Sequence, residues 1–261
     1  MARNDAQSKA MLGMNTANTA NNKLDGSGTL VTLLVAGEST TINKVVNKAS
    51  VNTTEGMVRL FVEKPGKTTK LLDEVTVAAR DQSGTTPTIS QIVNFPKGFV
   101  LKRGWKPKAS TENAETFNLF AECLEWNFPA SETKVLQVGV TFMEDISTAN
   151  SSLDGTGAIG TVATGALNGT RLSSLSIKAV GNTDNGMIRL FIKDDGGTIK
   201  LQREMRVPGS KQTKVVPAYG RKIYFDGGLS LPAGYSLMAS TERGDLFKLI
   251  AEGYTWEYKP A

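Results

Sequence analysis

Histidine is absent from the sequence. That excludes Ser-His-Asp and Cys-His nucleophilic machinery and removes the commonest metal ligand. There is one cysteine, Cys123, so no disulfide can form within the chain. Its repeat counterpart is Gly253, so the thiol reads as a small buried hydrophobe made in a reducing compartment. No CxxC, no P-loop and no helix-opening GxGxxG occurs. Asp194-Asp195-Gly196-Gly197 lacks the remaining ligands of an EF-hand and reads as a hairpin turn. No apolar run reaches the length of a membrane-crossing helix, and no membrane partner is expected. The opening MARNDAQSKAMLGMNTANTANN has no apolar core of signal-peptide type. Charge of one sign is also scarce. Residues 1–130 carry 15 basic against 12 acidic groups, and the remainder 15 against 13. Neither half is a basic tail, so nucleic acid is not the expected partner. No cofactor is implied.

What the chain does have is a repeat. Gly56 to Phe61 reads GMVRLF, and Gly186 to Phe191 reads GMIRLF, 130 positions later. Ala109-Ser110-Thr111-Glu112 returns as Ala239-Ser240-Thr241-Glu242 at the same offset. LDGSGT at Leu24 returns as LDGTGA at Leu153, an offset of 129, so one residue was gained or lost between that turn and the hexapeptide. Around each hexapeptide lie short β-branched segments divided by Gly, Asn, Asp and Pro turns, and no long segment has a helical period. The fold expected is all-β: two tandem antiparallel β-sandwich domains from an internal duplication. The boundaries read as a flexible N-terminal arm over 1–20, a first sandwich over 21–128, a linker with an extra strand over 129–150, and a second sandwich over 151–261. The linker strand is Val135 to Phe142.

The two copies also test the pleat, because side chains alternate between faces along a strand. On the last strand Phe117, Leu119, Ala121 and Cys123 match Phe247, Leu249, Ala251 and Gly253, which marks a core face. In the hexapeptides Val58, Leu60 and Val62 match Ile188, Leu190 and Ile192, again core. The opposite face carries Met57, Arg59 and Phe61, repeated as Met187, Arg189 and Phe191. An arginine between two large apolar groups implies a covered face, with Glu74 and Glu204 as its first partners.

Candidate chemistry is sparse. Glu112 with Glu122, and Glu242 with Glu252, recur as carboxylate pairs, but glutamates at strand ends are commonly solvated, and no enzyme is expected. Trp105 and Tyr235 are equivalent, as are Trp126 and Trp256. Such rings suit either sugar binding or a subunit contact. The copies differ at a basic patch, where Lys102, Arg103, Lys106 and Lys108 surround Trp105 and are replaced by Pro232, Ala233, Ser236 and Met238. A solvated face or an acidic protein partner would explain it. The partner-contact candidates are therefore these five residues with Arg59, Arg189, Trp126 and Trp256.

The string GM[VI]RLF, the following L-x-x-E strand (Leu71 to Glu74, Leu201 to Glu204) and LPAGYSLMASTE (Leu231 to Glu242) resemble small β-sandwich proteins encoded among tailed-phage structural genes. Copy one departs from the pattern with Leu101-Lys102-Arg103-Gly104-Trp105. The resemblance implies a jelly-roll-like virion component of accessory or decoration type, made in the host cytoplasm and residing in the virion. Its partners would be capsid or other virion proteins and further copies of itself. A trimer of two-lobed chains would present six similar lobes. The alternative is a carbohydrate-binding module of a tail or fibre receptor-binding protein.

Overall fold

The structure is a computed structural model. It describes residues 7–37, 39–67, 69–127, 133–213 and 215–260, with side chains over 9–37, 39–67, 69–125, 137–213 and 215–257. The described residues form 16 strands. The first eight are β1 Gln7–Ala17, β2 Val31–Thr32, β3 Ser39–Ala49, β4 Gly56–Glu63, β5 Lys70–Val77, β6 Ser90–Lys102, β7 Lys106–Thr111 and β8 Phe117–Asn127. The second eight are β9 Thr133–Ile146, β10 Gly160–Thr164, β11 Thr170–Ala179, β12 Gly186–Lys193, β13 Ile199–Val207, β14 Gly220–Leu231, β15 Ser236–Thr241 and β16 Phe247–Pro260.

The strands make four sheets of four, ordered β1-β8-β3-β6, β2-β7-β4-β5, β14-β11-β16-β9 and β10-β15-β12-β13. Each set of eight therefore puts its first, eighth, third and sixth strands in one sheet and its second, seventh, fourth and fifth in the other. That order is two interlocked Greek keys, the eight-stranded jelly roll. The chain divides into two compact units. Unit 1 holds Met1–Arg80, Ile89–Val138 and Trp256–Ala261, and unit 2 holds Asp81–Thr88 and Gly139–Thr255.

The cores are the faces that the pleat marks out. In unit 1 Val58, Leu60, Leu101, Phe117, Leu119 and Cys123 are buried together. In unit 2 Ile188, Leu190, Ile192, Leu249 and Ala251 are buried likewise. Each large aliphatic or aromatic group so buried contributes about 1.5–3 kcal/mol. The duplication extends to irregularities. The bulge between Ile42 and Lys44 on β3 recurs between Leu172 and Ser174 on β11. The bulge between Leu60 and Phe61 recurs between Leu190 and Phe191. A bulge re-aims every side chain beyond it, so its repetition keeps both cores in the same register.

The structure corrects the domain boundaries. The flexible arm expected over 1–20 is a strand over Gln7–Ala17, paired antiparallel with β8 from Gln7↔Asn127 to Ala17↔Phe117. Ala10, Leu12 and Ala17 are buried along it. The segment reads as weakly hydrophobic because it uses small residues. At Gly13 a Cβ would stand 2.6 Å from the Leu33 carbonyl oxygen, so a close backbone approach excludes a larger side chain. Residues 1–6 lie outside the described residues. The linker strand is likewise not an addition. It belongs to β9, which neighbours β16 as β1 neighbours β8. Each copy thus begins with this strand, ahead of residues 21 and 151.

Candidate functional site

The outer face of β4 holds a group of residues that the duplication reproduces almost atom for atom. Arg59 Nε donates to Glu74 Oε1 at 2.8 Å, and Arg59 Nη1 donates to the Asn21 carbonyl at 3.3 Å. Arg189 Nε donates to Glu204 Oε1 at 3.1 Å, and Arg189 Nη1 to the Asn150 carbonyl at 3.2 Å. A second carboxylate stands behind each guanidinium, Glu112 at 3.5 Å and Glu242 at 3.7 Å. The glutamate partners expected from the strand pattern are the ones found.

What covers this face is the loop that carries the repeated LDGxG motif. Asn21 Nδ2 donates to the Ser27 and Thr29 carbonyls at 3.0 and 2.9 Å, folding the loop over itself. Asn150 Nδ2 does the same to Thr156 and Ala158 at 2.8 and 3.0 Å. Asp25 accepts from the Ser27 N–H and hydroxyl, and Asp154 from those of Thr156. These bonds stabilise the charged form and hold both carboxyls below the usual aspartate range. Gly26, Gly28, Gly155 and Gly157 all have positive φ, which is why the motif keeps both glycines. Two positions after each arginine, Phe61 and Phe191 are fully buried.

The two copies then part company. Residues Asp81–Thr88 belong to unit 2. There the Thr88 N–H and hydroxyl both donate to Glu204 Oε2 at 2.8 Å. Gly84 lies over Glu242 and Arg243, whose nearest atoms would be 3.5–3.8 Å from a Cβ at that position. The Arg189 and Glu204 side chains are 0% exposed and Glu242 is 13% exposed. In unit 1 the equivalent Glu74 is 37% exposed and Glu112 34%. The clamp is the same in both units, but its carboxylate side is covered in unit 2 and open in unit 1.

Arg59 and Arg189 are therefore corrected as contact candidates. Both are buried inside their own units, and Arg189 has no surface to offer. Trp256 is buried, and the side chain of Trp126 lies outside the described residues. The basic patch is partly neutralised from within. Lys106 reaches Glu63 at 3.1 Å, and Lys108 pairs with the other oxygen of the same carboxylate. Hydrogen bonds from Lys108 and then Lys106 hold that carboxyl below its usual range. Lys102 and Arg103 are exposed at the turn that precedes Trp105. Trp105 walls a cavity of about 490 Å³ with Val62, Leu71, Leu72, Phe99 and three lysines, and Lys64 Nζ stands 4.7 Å from the Trp105 ring centroid.

The carboxylate pairs are not paired. Glu112 follows β7 and faces Arg59, whereas Glu122 on β8 is buried in the other sheet beside Lys44 at 3.4 Å. Glu252 bonds Lys222 at 2.6 Å. Among the described residues no group of three or more side chains is arranged to hold a metal. Burial pushes the Cys123 thiol up, and its Sγ–H donates to the Ala121 carbonyl.

Fold and site together define a tandem jelly-roll protein whose repeated residues stabilise a covered sheet face. No protein family and no curated protein matches the chain in sequence. Solved structures do align with it. The major capsid protein of Sulfolobus turreted icosahedral virus aligns at 11% identity and TM-score 0.27, over 95% of this chain and 97% of its own. The major capsid protein P2 of bacteriophage PM2 aligns at 13% and 0.24, over 95% and 98%. The tandem CBM22 domains of a Paenibacillus barcinonensis protein align at 12% and 0.24, over 97% and 95%. Similarity at this level carries no inference about function.

Proposed function

We propose that the chain is a non-enzymatic structural component of a phage virion, a capsid-shell, decoration or accessory protein that works through protein–protein contacts. The observation that supports this reading is where the repeated residues go. Four repeated elements, the hexapeptide arginine, the L-x-x-E glutamate, the ASTE glutamate and the LDGxG loop, meet in one scaffold, built twice. Duplication has preserved this scaffold, and the copies differ in how exposed its carboxylates are. Three chains would supply six such bodies, a number suited to a pseudo-sixfold position in a shell. The Lys102, Arg103 and Trp105 corner is the proposed contact for an acidic virion partner. Mass spectrometry and electron microscopy of purified particles test the reading. The expected result is this chain present in fixed stoichiometry at one repeated position. Its absence from intact particles overturns the proposal.

The cavity beside Trp105 favours one second reading, carbohydrate binding, since a ring on a cavity wall can stack on a sugar. Against it, Lys64 already occupies a place over that ring. A glycan array settles it: selective binding that Trp105→Ala abolishes would support the module, and no selectivity would support the virion role.

A further inference from the structure

The segment Asp81–Thr88 that lies on unit 2 has a twin. Lys211–Ala218 holds the equivalent place between β13 and β14. The two are built alike. Thr53 and Arg80 exchange both backbone hydrogen bonds, as do Thr183 and Ser210. The Ser83 N–H donates to the Thr86 carbonyl at 3.0 Å, and the Thr213 N–H to Val216 at 3.0 Å. Yet the twin presents two valines to solvent, Val215 at 89% and Val216 at 44% exposure. The surface that would receive it is equally bare. β13 is buried along most of its length, whereas its counterpart β5 is exposed at Lys70, Leu71, Asp73, Glu74 and Thr76.

We propose that residues 211–218 of one copy dock on the Glu74–Glu112 side of unit 1 of a second copy, as residues 81–88 dock on Glu204 and Glu242. This contact rests on the assembly reading above for the expectation that copies of the chain meet. Val215 and Val216 cover β5, where Leu71 is exposed. The sequence carries a matching exchange of charge. In the sequence repeat Lys214 aligns with Gly84, and Asn113 with Arg243. A side chain at position 84 would begin 3.5 Å from the Arg243 guanidinium and 3.7–3.8 Å from the Glu242 carboxylate oxygens, so the two charges there offset each other for an incoming cation. On unit 1 that guanidinium is gone and Glu112 remains, so a lysine in the incoming segment meets a carboxylate with no cation beside it.

Such a contact is heterologous. Each chain carries one donor segment and one acceptor strand, and successive chains close into a ring or extend as a filament. The test is the mass of the purified full chain by light scattering after gel filtration, over a range of concentrations. Val215→Asp/Val216→Asp blocks the donor at exposed positions, where the fold tolerates it. Glu74→Lys blocks the acceptor. Each should raise the concentration needed for assembly at least about tenfold. Mixed in equal amounts, the two variants should form a dimer and nothing larger, because only one working contact remains between them. Assembly by the donor variant at the wild-type concentration overturns the proposal, even where Glu74→Lys fails to fold. Wild-type chains that stay monomeric at every concentration also overturn it. In either case the virion reading stands or falls separately, on whether particles contain the chain.

Discussion

Replacing Arg189 and Arg59 by methionine, one at a time, separates the two clamps by the cover over their carboxylates. Methionine keeps most of the volume of the arginine stem and removes the charge. In unit 2 this leaves the Glu204 carboxylate fully buried without its guanidinium, although the Thr88 N–H and hydroxyl still donate to it. Breaking a buried pair from one side costs about 3–5 kcal/mol. In unit 1 the abandoned Glu74 is 37% exposed and water solvates it. There the loss is that of a charge-assisted bond at a half-open site, about 1–2 kcal/mol. Urea unfolding read by intrinsic fluorescence should therefore rank wild type above Arg59→Met, and Arg59→Met above Arg189→Met. The double variant Arg189→Met/Glu204→Met removes the stranded charge too, and should recover part of the loss. Equal losses at the two arginines, or a larger one at Arg59, would refute the claim that the segment over Glu204 desolvates this clamp. No recovery in the double variant would show that the cost comes from packing.

Deleting residues 1–17 should lower the unfolding temperature of unit 1 sharply, because it strips β1 from β8 and exposes the core edge; an unchanged melting curve would restore the flexible-arm reading. Cys123 should resist thiol reagents in the native chain and react as unit 1 unfolds, which makes its labelling rate a probe of that unit alone. The Asp25 and Asp154 carboxyls lie below their ordinary value of 3.8. A carboxylate depressed in the folded state adds stability that is present above its unfolded pKa and lost as pH falls through the folded one. Asp25→Ala and Asp154→Ala should thus lower stability at neutral pH and flatten the decline below pH 3.8, as measured by thermal melts at stepped pH.

The duplication, the all-β class and both core faces could be read from residue patterns, because apolar alternation at Val58, Leu60 and Phe117, Leu119 is strong and occurs twice. The buried arginine was legible for the same reason: Met and Phe flanking it are out of place on a wet face. The first strand was not. Ala10, Gly13 and Ala17 bury small surfaces, so the segment lacks a hydrophobic signal. A signal did exist in Thr19-Ala20-Asn21, which returns as Thr148-Ala149-Asn150 at the 129-residue offset and carries the repeat upstream of LDGxG. The role of residues 81–88 had no local signature, since Thr88 meets Glu204 across 116 positions of sequence. The neutralisation of Lys106 and Lys108 by Glu63 was hidden too, because β4 and β7 become neighbours only in the folded sheet.

The pairing of β1 with β8 brings Gln7 opposite Asn127. The two ends of a jelly roll therefore emerge at the same corner of one sheet. A gene segment encoding such a body can be copied head to tail with almost no spacer, and here residues 128–132 are all that separate β8 from β9. An unequal crossover needs to preserve nothing but reading frame to yield another foldable body. A chain built this way is thus free to vary the number of bodies it carries without redesigning any one of them.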